Sequence, residues 1–293
     1  MNIKEHLKVL SAKIHKISNV PQLEAEILVS FALGKPKEFL FSHPELELST
    51  KSEKKLKSLL KRRLKHEPIS YITGKKEFFG LGFQVNKSTL VPRPESEHLV
   101  EVAVDEIKRI IEVNRSNKVR KKVLVHELAT GSGAIIISLA NELKNLSGTV
   151  YSASDISVEA IKIAKKNSKN LLGNTKVSFR KLDILKSKKI PRADIIISNP
   201  PYIPTSKIKS LEQEVRDFEP KIALDGGKDG LKFYQAILEK SAKSSPKALI
   251  LELESENSRK IESLAQKYFP DGQINLIKDL SGKDRVLLLR TSD

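Results

Sequence analysis

VLVHELATGSGAIIISLANEL, residues 123–143, is the stretch on which the reading of the whole chain turns. Its first half, Val123–Leu128, is an apolar, β-branched run that reads as a buried strand; from Ile135 to Leu143 apolar residues continue as a helix. Between them stands Glu127-Leu128-Ala129-Thr130-Gly131-Ser132-Gly133-Ala134. Glycine at such a junction reaches turn geometries closed to other residues and lets a backbone come close to a ligand. The dinucleotide-type pattern G-x-G-x-x-G is not met, because Ile136 occupies the third glycine position, so a hydride-transfer enzyme is disfavoured.

Working downstream, strand and helix signals alternate. Strands are expected at Val150–Ser154, Val177–Leu182, Ile195–Ser198 and Leu249–Glu254, and alternation of this kind builds a parallel sheet covered on both faces. Ile274–Ile277 and Val286–Leu289 follow with only a short connection containing Gly282-Lys283-Asp284. A parallel crossover needs about a dozen residues or more, so these last two strands must be antiparallel neighbours. The fold class is therefore α/β: a Rossmann-like, seven-stranded, mostly parallel sheet with one antiparallel strand near its end. That is the layout of S-adenosylmethionine methyltransferases.

Working upstream, Val91-Pro92-Arg93-Pro94-Glu95 leads into an amphipathic helix with Leu99, Val100, Ala103, Ile107 and Ile110 on one face. A polar, basic loop is expected over Asn114–Lys122. Residues 69–91 hold short aromatic, glycine-punctuated runs (YITG, EFFG, LGFQV) that suggest a linking β-hairpin. Residues 1–68 read as a small helical domain. One helix starts at Asn19-Val20-Pro21, puts Leu23, Ile27, Leu28 and Phe31 on one face and stops at Gly34. Another opens with Thr50 and Glu53 in capping-box spacing, carries Leu56, Leu59, Leu60 and Leu64, and ends before Pro68. Its other face bears Lys54, Lys57, Lys61, Arg62 and Lys65. The expected division is thus a helical domain at 1–68, a linking hairpin at 69–91 and the α/β domain at 92–293.

The net charge of +17 invites a nucleic-acid reading, but it comes from 41 Lys against 12 Arg. Arginine is the residue suited to bidentate phosphate and base recognition, whereas scattered lysine often only solvates a surface. The absence of cysteine excludes disulfides, a thiolate nucleophile and a cysteine metal site. No stretch is apolar enough to suggest a membrane span, and the amino terminus lacks the continuous apolar centre of a signal peptide. A reducing cytoplasm fits this composition.

Candidate site residues cluster at strand ends. Asp155, closing the second strand of the sheet, can accept hydrogen bonds from both ribose hydroxyls of a nucleoside, or cap the next helix. Asp183, at the tip of the third, can receive an adenine amino group or close a turn. The fourth strand runs straight into Asn199-Pro200-Pro201-Tyr202. Two prolines end the ladder and lock the backbone, holding a polar side chain rigidly at the carboxyl edge. An amide or amino nitrogen conjugated to a π-system is a poor nucleophile. The Asn199 side-chain oxygen and the Pro200 carbonyl can each accept one N–H of such an NH₂, favour its pyramidalisation and aim its lone pair. Tyr202 can pack on the planar group, and catalysis is then mainly positioning and electrostatics.

Taken together, YITG with EFFG, LVPRPESEHLV, ELATGSGAI, DIS, ISNPPYIP and EVRDFEPKIALDGGKDGLKFY make the chain, from about residue 7 to 291, resemble the PrmC/HemK family of protein-(glutamine-N5) methyltransferases. The Asn-Pro-Pro-Tyr motif alone is shared with adenine N6 methyltransferases; the PRPESE and VRDFEP–GGKDGL segments are far more specific. The resemblance implies S-adenosylmethionine as cofactor, held by Glu127, Ala129, Thr130, Gly131, Ser132, Gly133, Asp155, Asp183, Ile184 and Asn199. It implies as substrate the glutamine of a Gly-Gly-Gln loop in a peptide chain release factor, held by Asn199, Pro200, Pro201 and Tyr202 with Arg93 and Glu95 nearby. The helical domain would dock that partner, with Lys54, Lys61 and Arg62 as candidate contacts.

The chain departs from the family in three places. Glu127-Leu128-Ala129 stands for Asp-Leu-Gly, which keeps the carboxylate and suits Ala129 if its φ is negative. Ile184 stands where some members have an aromatic residue. LELESE, residues 251–256, replaces a glycine-containing segment. Competing readings are glutamine methylation of a ribosomal protein, adenine N6 methylation of DNA or RNA, and a catalytically silent binding module. A DNA enzyme needs a module for base flipping, for which no arginine-rich or aromatic candidate is present. The intact Gly131, Gly133, Asp155 and Asn199 argue against a silent module.

Overall fold

The computed structural model describes residues 1–119 and 121–291. The chain forms two compact units, one of Met1–Lys75 with Glu212–Phe218, the other of Lys76–Leu211 with Glu219–Asp293.

The first unit is helical: α1 (Ile3–Ile14), α2 (Pro21–Leu33), α3 (Lys37–Ser42), α4 (Thr50–Arg63), α5 (Ile69–Thr73) and, from far along the chain, α9 (Gln213–Phe218). Pro21 opens α2 at a position whose N–H has no helical partner anyway, and Gly34 ends it with φ +68°. The apolar face of α2 differs from the sequence expectation: Leu23 is exposed, and Glu24, Ala25, Leu28, Val29 and Ala32 turn inward. The cap of α4 is Ser49, whose hydroxyl accepts from Ser52 N at 3.2 Å, one residue before the expected Thr50. Leu64 is exposed just past the end of α4, while Leu56, Leu59 and Leu60 are buried. Residues 69–73, read from sequence as part of the hairpin, make the single helical turn α5 and contribute Ile72 to the helical core.

Arg63 organises this unit. It is almost fully buried and gives two hydrogen bonds to the Glu24 carboxylate at 2.6 and 2.9 Å, and one to Glu214 at 2.9 Å. Its neighbour Arg62, expected as a free surface cation, is instead a fork on Glu67 at 2.6 and 2.8 Å. Lys54 and Lys61 are exposed.

The second unit opens with the hairpin β1 (Lys75–Phe78) and β2 (Leu81–Gln84), followed by α6 (Glu95–Ser116), which extends three residues into the stretch read as loop. Seven strands then form one sheet: β3 (Val123–Leu128), β4 (Thr149–Asp155), β5 (Val177–Lys181), β6 (Ile195–Ser198), β7 (Ala248–Glu252), β8 (Gln273–Lys278) and β9 (Asp284–Arg290). Their order is β5-β4-β3-β6-β7-β9-β8, and only β9 runs antiparallel to its neighbours. Helices α7 (Ala134–Glu142), α8 (Val158–Leu171), α10 (Lys232–Ser244) and α11 (Ser258–Tyr268) cover it.

Burial follows the pleat, as side chains along a strand point alternately to the two faces. Ile195 and Ile197 enter the core beneath α6 and α7, while Ile196 enters the one beneath α10 and α11. The chain leaves β3 toward β4 and β5, then returns to the other side for β6. That reversal opens a crevice at the carboxyl ends of the strands, where ligands of open α/β sheets bind. Among the described residues, no helix is long and apolar enough to cross a membrane.

Removing Arg63 leaves the buried Glu24 carboxylate without a counter-charge. Arg63→Ala is expected to cost about 3 kcal/mol, the lower part of the range for breaking a buried ion pair, since Glu214 is partly solvated. Denaturant unfolding of the full chain checks this.

Candidate active site

The turn between β3 and α7 is made by residues with left-handed backbone: Ala129 at φ +56°, Gly131 at +56° and Gly133 at +80°. The condition under which alanine would suit this position, a negative φ, is not met. The strand must reverse into the helix within five residues, and the turn alternates left-handed positions whether or not each is glycine. A β-carbon on Gly133 would lie 2.7 Å from Ile137 Cδ1, so that glycine is required by packing as well as by φ. Around Gly131, by contrast, the space is open, and it faces the main cavity of this edge.

Two carboxyl groups hold the turn. Glu127 is fully buried; its Oε2 accepts from the Thr130 hydroxyl at 2.5 Å and from Ile136 N at 3.3 Å. Burial pushes its pKa up to about 8, against the pull of those donors. It therefore braces the loop from beneath and does not line the cavity. Asp155, almost buried at the end of β4, accepts from Gly131 N and from Ser157 N, both at 2.8 Å, and burial raises its pKa. A carboxylate has about four acceptor positions. Asp155 closes the turn before α8, and it also lines the cavity, with acceptor positions beyond those two bonds.

That cavity, about 450 Å³, lies in the size range of small-molecule sites. Ala129, Gly131, Asp155, Asp183, Ile184, Asn199 and Pro201 line it. Asp183 Oδ1 also accepts from Leu185 N at 2.9 Å and Lys186 N at 3.1 Å, which is a turn-closing role. Ile184 is buried and supplies an aliphatic wall. Thr130, Ser132 and Gly133 shape the loop without lining the cavity; Ser132 O accepts from Asn167 Nδ2 at 2.9 Å.

Asn199 follows β6 directly, and its Nδ2 donates to the Ser96 hydroxyl at 3.1 Å. Pro200 is buried; Tyr202 is half-buried and packs on the core beneath α10 and α11. Burial and the nearby Glu252 and Glu254 raise the pKa of its phenol, which stays neutral. Arg93 pairs with Glu219, which also accepts from Val91 N at 3.1 Å, so the PRPE segment is tied to the residue that follows VRDF. Glu95 is exposed at the start of α6.

Sequence reading passed over two features of this edge. Ile203 lies beside residues 224–226 of this unit: Ile203 N donates to Leu224 O at 3.0 Å and Gly226 N to Ile203 O at 2.8 Å. A β-carbon on Gly226 would meet the backbone of Tyr202 at 2.7 Å, and one on Gly230 would run into the Tyr202 carbonyl. Gly226 and Gly230 of DGGKDG therefore lie against the Tyr202 backbone of Asn-Pro-Pro-Tyr, and the clustering of glycines there was the available signal. The second feature is Ser96, hidden within PRPESE as the partner of Asn199.

Two protein families match the chain. Residues 5–74 match the PrmC N-terminal domain family and residues 104–215 the methyltransferase small domain family. A release factor glutamine methyltransferase of Clostridium acetobutylicum is 38% identical over 272 residues, covering 90% of this chain and 90% of that protein. The chain belongs to the release factor glutamine methyltransferase family. The family member of Bacillus cereus is 33% identical over 98% of both chains. A "bifunctional methyltransferase" of Rickettsia typhi is 36% identical over 98% of this chain, which spans 57% of that longer protein. Among solved structures, the catalytic domain of hMettl16 in complex with MAT2A 3′UTR hairpin 6 superposes with a TM-score of 0.53 at 16% identity, over 73% of this chain and 76% of that one. Likeness at that identity speaks for the fold alone.

Two measurements test this account of the loop. Ala129→Gly should stabilise the protein by about 1 kcal/mol, since the left-handed backbone costs alanine more than glycine loses in unfolded-chain freedom. Thermal or denaturant unfolding reads it. Glu127 holds its proton to about pH 8, against an ordinary 4.5, so its contribution to stability is complete below about pH 4.5 and is lost as pH rises through 8. Glu127→Gln removes that loss: relative to the parent protein it should be more favourable at pH 8.5 than at pH 5, by urea unfolding at both.

Proposed function

We propose that this protein transfers a methyl group from S-adenosylmethionine to the side-chain amide nitrogen of the glutamine in the Gly-Gly-Gln loop of a peptide chain release factor. The observation that carries the reading is the state of Asn199. One N–H of its amide goes to the buried Ser96, which turns the nitrogen inward and leaves the oxygen to accept from a ligand at the cavity it lines. An acceptor there, beside the buried Pro200, suits a target that offers two N–H donors.

The cavity fits the cofactor in size and in its donors and acceptors. Asp155 would accept from the ribose hydroxyls, the open face of Gly131 would let the ligand lie on the backbone, and Asp183 and Ile184 would border the base. When bound, S-adenosylmethionine supplies an electrophilic methyl group on sulfur. The chain's own part is positional. Asn199 Oδ1 and the Pro200 carbonyl each take one N–H of the substrate, which turns the nitrogen lone pair toward the donor and removes it from conjugation. Tyr202, neutral and half-buried, does not line the cavity and would act by bracing the segment that carries Asn199 and Pro201, with its ring near the seated amide. No strong base is needed before attack, because the proton is lost after the methyl has been gained; fixed dipoles and orientation carry the rate.

Relatives named release factor glutamine methyltransferases that match nearly the whole chain support the protein substrate over nucleic acid or a ribosomal protein. The helical unit would hold the factor away from the reacting loop, through the exposed Lys54 and Lys61, and so orient a flexible target. The reading implies a cytoplasmic protein, since translation takes place there.

Incubation with labelled cofactor and release factor, ribosomal protein or DNA tests the proposal. Tandem mass spectra should place one added methyl on the Gly-Gly-Gln glutamine; transfer only to another substrate overturns the assignment. Asn199→Ala should keep much of the cofactor affinity and lower kcat by about 100-fold or more. Asp155→Ala should instead weaken cofactor binding by about 1.5–3 kcal/mol in calorimetric titration.

A further inference from the structure

Glu252 is the last residue of β7, in a strand that is otherwise aliphatic, and it is 2% exposed. The pairing of Ser198 with Leu251 sets the residues that follow them, Asn199 and Glu252, side by side at the carboxyl edge. The Glu252 carboxyl lies beside the Ser96 hydroxyl, and among the described residues its buried Oε2 has no hydrogen-bond partner. Ser96, 4% exposed, receives the Nδ2–H of Asn199 at 3.1 Å.

A hydroxyl owns one proton. With an amide N–H arriving at the Ser96 oxygen, that proton is left for the carboxyl group beside it, and while Glu252 is ionised the chain can run only one way: Asn199 N–H to Ser96, Ser96 O–H to Glu252. Direction matters here. It keeps the Asn199 nitrogen inward and its oxygen outward, whereas the flipped amide would show N–H donors to a substrate group that also donates.

A buried carboxyl is an expensive filler. Burial, with Glu95 and Glu254 adding to it and Arg285 opposing, pushes the Glu252 pKa up to about 7. The backbone beneath it is fixed separately, by the Tyr234 hydroxyl donating to Glu252 O at 2.8 Å. An aliphatic residue would pack there at less cost, so the carboxyl has to be explained by what it does to Ser96. We infer that Glu252 is a positioning residue, which through Ser96 holds the Asn199 amide with its oxygen toward the substrate. The inference rests on the proposal that this oxygen accepts an N–H of the target amide.

Glu252→Gln is the main test. Measured at pH 8, where Glu252 is mostly ionised and can only accept, the change is decisive: glutamine fills the same space but donates to Ser96 as readily as it accepts, so the enforced direction is lost. The variant should be at least as stable as the parent, bind cofactor within about twofold, and show kcat reduced about tenfold with KM little changed. In an Asn199→Ala background the same change should have no further effect. The side-chain amide resonance of Asn199, assigned by its loss in Asn199→Ala, should shift in Glu252→Gln, a readout that needs no substrate. Should Glu252→Gln fail to fold, Ser96→Ala and Ser96→Thr decide: alanine should lose the same tenfold and threonine, which keeps the hydroxyl, should recover it. An unchanged kcat and amide resonance, or an equal loss with and without Asn199, overturns the inference. If the parent enzyme methylates a different substrate, the substrate proposal fails, and the resonance and the paired variants on that substrate still judge Glu252.

Discussion

A sheet that must turn into a helix within five residues has to find partners for the backbone groups it exposes, and at the end of β3 those partners are two buried acids. Glu127 takes Ile136 N and the Thr130 hydroxyl from below; Asp155 takes Gly131 N from the neighbouring strand end. Thr130 N finds Ser154 O at 3.0 Å, and Ser132 O finds Asn167. Every one of these bonds reaches across from another element, so the loop has its shape only when β4, α7 and α8 are in place. The rest of the edge inherits that arrangement, because Asp155 both builds the loop and faces what the loop surrounds.

Much of this was legible in the residue order. Strand and helix alternation, the short connection between the last two strands and the glycine pair each follow from local rules, and the sheet obeys them. So does Asn-Pro-Pro-Tyr, whose rigidity is a property of proline itself. What could not be read was set by tertiary context. The φ of Ala129 is imposed by the reversal around it, against alanine's own preference. Leu23 is exposed because Glu24 turns inward to meet Arg63, a partner 39 residues away. YITG folds as a helical turn because Ile72 is wanted in the helical core. Ser96 sits inside PRPESE and Glu252 inside LELESE, but neither segment shows on its own that they lie near Asn199, which is 103 and 53 residues away in the chain.

The electrostatics of the site run against the composition. In a chain of net charge +17, the groups behind the Asn-Pro-Pro-Tyr segment include Glu95, Glu252 and Glu254, and a cavity-facing Asp155 lies across from them. The arginines nearby are engaged in fixed pairs, Arg93 with Glu219 and Arg285 with Asp279. Local burial and pairing, and not the overall sign of the protein, set the chemistry of this edge.

The helical unit is discontinuous in the chain, and that has a bearing on its birth. Glu214, which bonds Arg63, lies 151 residues after it. As the polypeptide emerges from the ribosome, the first 75 residues are made early, yet the unit cannot be completed until residue 218 has been synthesised, with most of the parallel strands between. Until then Arg63 has one of its two carboxylate partners, and α9 has nothing to join. Assembly of this small bundle is therefore timed by translation of the larger unit, and contacts of such wide sequence separation form slowly even when the finished elements are short.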